Sequence, residues 1–389
     1  MRILHTSDWH LGRSFHGEDL LAAQAAYVDH LIETVEGESV DLVVVSGDVY
    51  DRALPPVDAV ALADDAFTRL AASRARVVIT SGNHDSARRL GFSSRLVDAA
   101  GVHLRTDAGR VDEPVLLDDE HGQVAVYGIP YLEPDVLRLQ WDLPQRSHHA
   151  ALAEAMRRIR ADLSTRPAGT RSVVMAHAFV AGGFPSESER DIAVGGISVV
   201  PTELFDDIDY TALGHLHGRA TLSDSVRYSG SPVAYSFSEA DHVKGSWLVD
   251  LDADGLAAAR FVEAPVTRPL ARLTGTLDDL LTEQRFGRHE DSWVQATLTD
   301  ELRPVRAMEQ LRIRFPHALA LRFAPAGGEQ VPQRLATTGR SAHEISLDFV
   351  SHVRGTPASE QESDLLRTAF ECCSEDPDLV VARDAVVSG

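Results

Sequence analysis

Lysine is almost missing from this chain of 389 residues: Lys244 is the only one. Because Gly245 follows it, no Gly-x-x-x-x-Gly-Lys-[Ser/Thr] phosphate loop exists, and any ATP hydrolysis has to come from a partner. Cysteine is nearly as scarce. Cys372 and Cys373 are adjacent near the C-terminus, which fits neither a disulfide framework nor a thiolate metal site; half-buried helix positions are expected for them. No apolar run approaches the roughly 18 residues of a membrane span. The start, "MRILHTSDWH", lacks the charged and apolar regions of a signal peptide. These absences predict a soluble, cytoplasmic protein with no membrane partner. Gly-x-Ser-x-Gly and His-Glu-x-x-His are absent as well, which removes serine-hydrolase and zinc-protease readings. Positive charge is short overall: 37 basic against 59 acidic residues leave a formal charge of -22. That argues against a generic polyanion binder, which usually carries a basic face. The acidity is uneven, with 23 basic and 40 acidic residues in 1–267 but 9 and 8 in 268–323.

The length points to two or three domains. "RILHTSD" (2–8), "DLVVVSGD" (41–48), "VVITSGNHD" (77–85), "VAVYGIP" (124–130), "SVVMAH" (172–177) and "YTALGH" (210–215) are short runs rich in Val and Ile that read as buried strands. Helical spacing intervenes, as in "VDAVALADDAFTRLAA" (57–72). The expected fold class is α/β, a layered sheet structure flanked by helices. The later strands near "VRYSGSP" and "GSWLVDLD" lack intervening helices and suggest hairpins. After the linker "EAPVTRP" (263–269), a small strand–helix–strand–helix–strand unit runs to about residue 324. "PAGGEQVPQ" reads as a loop. "HEISLDFVSHVRG" and "SEQESDLLRTAFECC" then have helical spacing, with Ser359 and Glu362 as a capping box. Domains are therefore expected at 1–262, 268–325 and 340–389. With 4 basic and 10 acidic residues from 340 onward, the tail suits a protein partner better than nucleic acid.

What ends each strand carries the chemistry. Asp8 and His10 follow the first, Asp48 and Asp51 the second, and Asn83, His84 and Asp85 the third. His177 closes the fifth strand, and His215 and His217 follow the sixth. Ligands of open α/β sheets sit where the carboxyl ends of strands converge. Any one of these residues has an ordinary use as a cap, a turn or a core histidine, but together they predict a metal site. A donor set of carboxylate, imidazole and amide suits manganese, iron or zinc. Its size predicts two divalent ions, manganese foremost, which would clamp a phosphoryl group and supply a nucleophile near neutral pH. Asp48 is the expected bridging carboxylate.

The segments "DWH", "GDVYD", "GNHD", "MAH" and "GHLH" resemble the phosphoesterase motifs of the calcineurin-like metallophosphatase superfamily. "TSDWHLGRSF" and "GSPVAYSFSEADHVKG" are similar, more narrowly, to the family of nuclease subunits of bacterial SbcCD DNA-repair complexes, and "RPLARLTGTLDDLL" to "FPHALALRF" resembles that family's capping domain. The resemblance implies a metallophosphoesterase β-sandwich with a small α+β cap and a helical C-terminal tail. It implies that Asp8, His10, Asp48 and His217 hold one ion, and that Asp48, Asn83, His177 and His215 hold the other. His84 would assist the leaving 3' oxygen, an imidazole being suited to donate a proton there. Asp85 would orient His84 or cap a helix, and Asp51 would contact the phosphate or tune a metal.

The implied activity is DNA cleavage, as a double-strand exonuclease and a hairpin or single-strand endonuclease in repair and recombination. The implied assembly is a homodimer with an SbcC-type ATPase bearing long coiled coils, clasped by the tail. Arg303, Arg306, Arg312, Arg314 and Arg322 of the cap are candidate DNA-phosphate contacts, with ordinary exposed arginines on a helix face as the equal alternative. Two rivals remain at this stage: a phosphoesterase acting on nucleotides or phosphoproteins with the same metal ligands, and a non-catalytic scaffold subunit.

Overall fold

The computed structural model describes residues 1–189, 199–325, 341–354 and 356–374. Residues Met1–Pro325 form one compact unit and Ala326–Gly389 a second.

Two six-stranded sheets dominate the first unit. One contains the parallel strands Arg2–Thr6, Leu42–Ser46, Arg76–Thr80 and Val102–Arg105, extended by the antiparallel hairpin Gly245–Asp252 and Gly255–Glu263. The other aligns Gly122–Ile129, Arg171–His177, Tyr210–Gly214 and Val226–Tyr228 in parallel, with Val115–Asp119 and Ala220–Thr221 antiparallel at its edges. The strands are apolar on both faces because both faces are covered. Alternate residues sort accordingly. Ile3, Leu42, Val44, Val78, Val126, Val173, Met175 and Ala212 fill the core between the sheets. Leu4, Val43, Val45, Val77 and Ile79 face the helices Leu21–Gly37 and Val57–Ala72. On the far side, Ala125, Tyr127, Val174 and Ala176 pack with Ala151, Ala155 and Ile159 of the helix His148–Leu163. The result is a helix–sheet–sheet–helix sandwich.

The helix at 57–72 shows how local sequence sets these layers. Ala59, Ala63, Ala66 and Leu70 recur on one side and are buried, and their small size lets the helix lie close to the sheet. Asp58 in its first turn and Arg69 in its last complement the helix dipole.

Past the linker, Leu270–Gly275, Trp293–Leu298 and Ala318–Phe323 form a three-stranded parallel sheet with its own core, including Leu273, Leu280, Val294, Leu311 and Phe315. Thr276 and Asp279 make a reciprocal capping box on the helix Leu277–Thr282. This small sheet rests on the larger body through an aromatic contact, where the rings of Phe15 and Trp293 stand 5.6 Å apart.

The second unit contains the helices Ala342–Arg354 and Glu360–Ser374. Ser359 and Glu362 form the expected capping box, the Glu362 carboxylate accepting from the Ser359 backbone N–H at 2.9 Å. Cys372 and Cys373 fall in the second helix; the burial expected of their side chains lies outside the described residues. So do the loop expected at 325–333 from residue 326 on, and the tail beyond 374. Among the described residues, no helix is long and apolar enough to cross a membrane.

Candidate metal centre

The loops leaving the parallel strands are tied to one another, which brings their side chains to one place. Asp8 N–H donates to Gly47 O at 3.1 Å and His10 N–H to Asp48 O at 2.9 Å, so the first two strand ends run side by side. Asp8, His10, Asp48 and His215 all have φ in the left-handed region, at 54°, 46°, 47° and 103°. Such conformations cost free energy in non-glycine residues and persist where the surroundings over-determine them. Two glycines make the closeness possible. A Cβ on Gly82 would stand 2.1 Å from Asp48 Oδ1, and one on Gly47 would stand 2.3 Å from His177 Nδ1. Gly47 also has φ of +86°, so both the space and the backbone require glycine there.

The ligand atoms of Asp8, His10 and His217 lie within 4.8 Å of one another, as do those of Asp8, Asp48 and His177, and those of His10, Asp48 and His84. All of these residues, and His215 with them, are buried. His177 Nδ1–H donates to Ser46 O at 3.0 Å, which leaves Nε2 to face the other residues. That atom lies 2.9 Å from Asn83 Oδ1 and 3.4 Å from Asp48 Oδ2. His10 Nε2 faces His217 Nε2 at 3.0 Å and Asp48 Oδ2 at 3.6 Å. Acceptors this close need a proton or a cation among them, and two donors on a cation ~2.1 Å away are themselves ~3.0–3.4 Å apart. The residues present therefore fit divalent metal ions. His215 comes to the centre differently: its backbone N–H donates to Asp8 at 3.0 and 3.1 Å, and its ring stands 5.3 Å from that of His177.

The electrostatics ask for positive charge. Burial pushes the Asp8 carboxyl up to about 6. Burial likewise opposes charge on Asp48 and His177, but each supports the other: Asp48 is held well below the usual carboxylate range, and His177 is raised to about 9. Burial drives His10 and His215 well down, keeping them neutral as ligands must be. His5 stands in contrast as a core histidine, hydrogen-bonded to the Tyr210 hydroxyl at 2.8 Å and Leu213 O at 3.1 Å.

Near the ligands, His84 N–H donates to Asp48 Oδ1 at 2.8 Å, and its ring Nδ1–H donates to Asp51 O at 2.7 Å. Asp51 Oδ1 lies 3.7 Å from His10 Nδ1 and 3.7 Å from Arg13. Asp85 is engaged by backbone donors. Its carboxylate accepts from the backbone N–H groups of Val49, Tyr50 and Gly82 at 3.1, 2.9 and 2.9 Å. It ties the second and third strand loops together.

The cap arginines divide. Arg314 is committed internally, to Glu290 at 3.0 Å and Leu280 O at 3.0 Å, and Arg312 donates to Ala318 O at 3.1 Å. Arg322 faces Glu187 at 3.8 Å and Arg306 faces Glu309 at 3.8 Å, both well exposed, while Arg303 is exposed. Sequence reasoning assigned no role to Ser188, Glu239 and Lys244, which line up behind His217, nor to Arg13, whose guanidinium lies 5.0 Å from the Tyr235 ring centroid. The one available signal was that Glu239 and Lys244 lie in the family-like stretch "GSPVAYSFSEADHVKG", Lys244 being the sole lysine.

Residues 1–219 match the calcineurin-like phosphoesterase family, over more than half of the chain. The chain belongs to that family and is a metal-dependent phosphoesterase, a hydrolase. Residues 266–348 match a second family, the SbcD C-terminal domain, described as a type 5 capsule protein repressor C-terminal domain. Similar solved structures include TT1561 of Thermus thermophilus, at 15% identity over 67% of this chain and 98% of that one, with a TM-score of 0.39. GAP50 of Plasmodium is 13% identical over 85% and 99%, with a TM-score of 0.40. A dimetal phosphatase from Danio rerio is 15% identical over 68% and 99%, with a TM-score of 0.37.

Proposed function

We propose that this chain hydrolyses DNA phosphodiesters as the nuclease subunit of an SbcCD-type repair and recombination complex. The observation that carries the reading is the pairing of a phosphoesterase centre with an SbcD-type domain on the same chain, over residues 1–219 and 266–348. Asp8, His10, Asp48 and His217 would hold one divalent ion, and Asp48, Asn83, His177 and His215 the other. When bound, the ions, manganese foremost, supply positive charge to the phosphate and to the attacking oxygen.

The protein groups do the rest. Asp51 O fixes His84 with its proton on Nδ1, so only the imidazolium carries a second proton, on Nε2. As the phosphorus–oxygen bond to the 3' oxygen breaks and the oxygen of a water that sheds one proton to solvent bonds to phosphorus, Nε2 gives the imidazolium proton to the departing oxygen. Arg13, beside Asp51 and Tyr235, supplies a fixed positive group at the rim.

The chain works as a homodimer with an ATPase partner bearing long coiled coils. The absence of a phosphate loop fits that division of labour. Phe349 and Leu365, exposed on the tail helices, fit a partner surface.

The test is cleavage of an end-labelled hairpin duplex with manganese, with and without the ATPase partner and ATP, against a panel of nucleotides. Duplex cutting supports the reading. Nucleotide hydrolysis with intact DNA throughout would sink it while leaving the phosphoesterase chemistry in place.

A further inference from the structure

The two sets of metal-facing residues are braced unequally. His177 is held through Nδ1 by a neutral backbone carbonyl. His217 is held by a buried, charged line. Its Nδ1–H donates to Ser188 Oγ at 2.6 Å, and the Ser188 hydroxyl donates to Glu239 Oε1 at 2.5 Å. The other oxygen of Glu239 accepts from the ammonium of Lys244, the sole lysine of the chain. Lys244 spends its two remaining protons on His217 O at 2.8 Å and Ser231 Oγ at 2.9 Å. Glu239 is 1% exposed and Lys244 7%.

An ion pair that merely fastened the 231–244 loop would have no reason to grip His217 twice. This one touches both its ring, through Ser188, and its backbone carbonyl. Each member also has a job a near relative does poorly. A carboxylate accepts from Ser188 and Lys244 together, and a compact ammonium supplies three donors to three converging acceptors, where a planar guanidinium does not.

We infer that Lys244, Glu239 and Ser188 are positioning residues that fix His217 in the Nδ1–H tautomer and aim Nε2 at the ion it shares with Asp8 and His10. A carboxylate behind a ligating histidine raises its basicity and fixes its orientation. The ion held by His217 is therefore bound more tightly than the one held by His177. The inference rests on the two-ion reading of the centre.

The test is a manganese titration of the full chain, counting free ion by electron paramagnetic resonance and following melting temperature alongside. Wild type binds two ions. Glu239→Gln keeps the shape and loses the charge, and one of the two affinities falls about 10- to 100-fold while the other is unchanged. Ser188→Ala shifts the same site less, because Glu239 Oε1 already lies 3.5 Å from His217 Nδ1, and Ser188→Thr restores it. Two ions of wild-type affinity in both folded variants would show that the pair only braces the loop. Should Glu239→Gln fail to fold, Ser188→Ala decides alone, since it removes one hydroxyl. A wild-type chain that binds fewer than two ions overturns the two-ion reading, and this inference with it.

Discussion

His10 and His217, brought together from strand ends 207 residues apart, point their Nε2 atoms at each other across 3.0 Å. Two neutral imidazole acceptors at that separation repel unless something positive joins them, and Asp8 and Asp48 beside them supply the matching negative charge. Divalent ions bound there would be part of the folded state's charge balance. Chelation should lower the melting temperature, and manganese at ~100 times a site's dissociation constant should restore about 2.7 kcal/mol for that site. His10→Ala should blunt that response. Identical melts with chelator and with manganese would contradict the proposed centre.

His84 stands beside the ligands with its backbone on Asp48 and its ring on Asp51 O. Its proposed task is delivery of one proton to a poor leaving group, so its worth depends on the ester. His84→Ala should retain two ions and lose ~10²–10⁴-fold in turnover on DNA. On a bis-nitrophenyl phosphate, whose leaving group needs no proton, the loss should be far smaller. Equal losses on both substrates would assign His84 to the metals or to binding instead.

Asp85 holds three backbone N–H groups belonging to two different loops. Its removal leaves buried donors without an acceptor, at roughly 1–3 kcal/mol for each group left unmade. Asp85→Ala should therefore lower stability markedly. Metal affinity should fall with it, because the same loops carry Asp48 and Asn83. Asp85→Asn, which keeps one acceptor oxygen, should lie between. Thermal melts with a parallel metal titration check this; an Asp85→Ala protein with wild-type melting but lost turnover would return Asp85 to a role at the His84 ring.

Much of this was legible beforehand because it lies in strand ends. The runs 41–48 and 172–177 are apolar on both faces, a pattern that only doubly covered strands need, and the polar residues that close them face the metal centre. Other features depend on long-range partners and leave no local trace. The second sheet stacks on the first through Val126, Val173 and Met175, which look in sequence like any buried strand residues. Ser188 meets His217 although 29 positions separate them in sequence. Asp85, next in sequence to His84, invited a pairwise reading, yet two of its three backbone partners sit 36 and 35 residues upstream. Helical spacing likewise said nothing of which cap arginines were already engaged.

Those arginines give opposite expectations. Arg314 is mostly buried, bonded to Glu290 and Leu280 O, and packed 5.4 Å from the Phe315 ring centroid. Arg314→Ala should cost roughly 1.5–3 kcal/mol of stability from its charged hydrogen bonds. Arg303 and Arg306 are exposed, and their double replacement by alanine should leave melting unchanged. If they meet phosphates, the slope of log affinity for duplex DNA against log salt should shrink by about 0.9 per lost contact. An unchanged slope would remove them from the DNA path.

The tail carries the partner assignment, and it is built to fold as a pair. Ser341 with Glu344 and Ser359 with Glu362 begin the two helices, and Arg354 makes a two-pronged bond to Glu362 at 2.9 and 2.8 Å. Two helices bury too little to hide every apolar residue, and Phe349 and Leu365 are left 57% and 71% exposed. In an otherwise acidic segment, such residues would anchor an apolar stripe on the proposed coiled-coil partner, an interface residue that acts as an anchor being worth more than ~1 kcal/mol of binding. Phe349→Asp with Leu365→Asp should weaken association with the ATPase by at least ~10-fold while the helices persist by circular dichroism. Deleting 340–389 should abolish association and leave the manganese titration as it was. Co-purification of the deleted chain with the ATPase would place the contact elsewhere in residues 1–339.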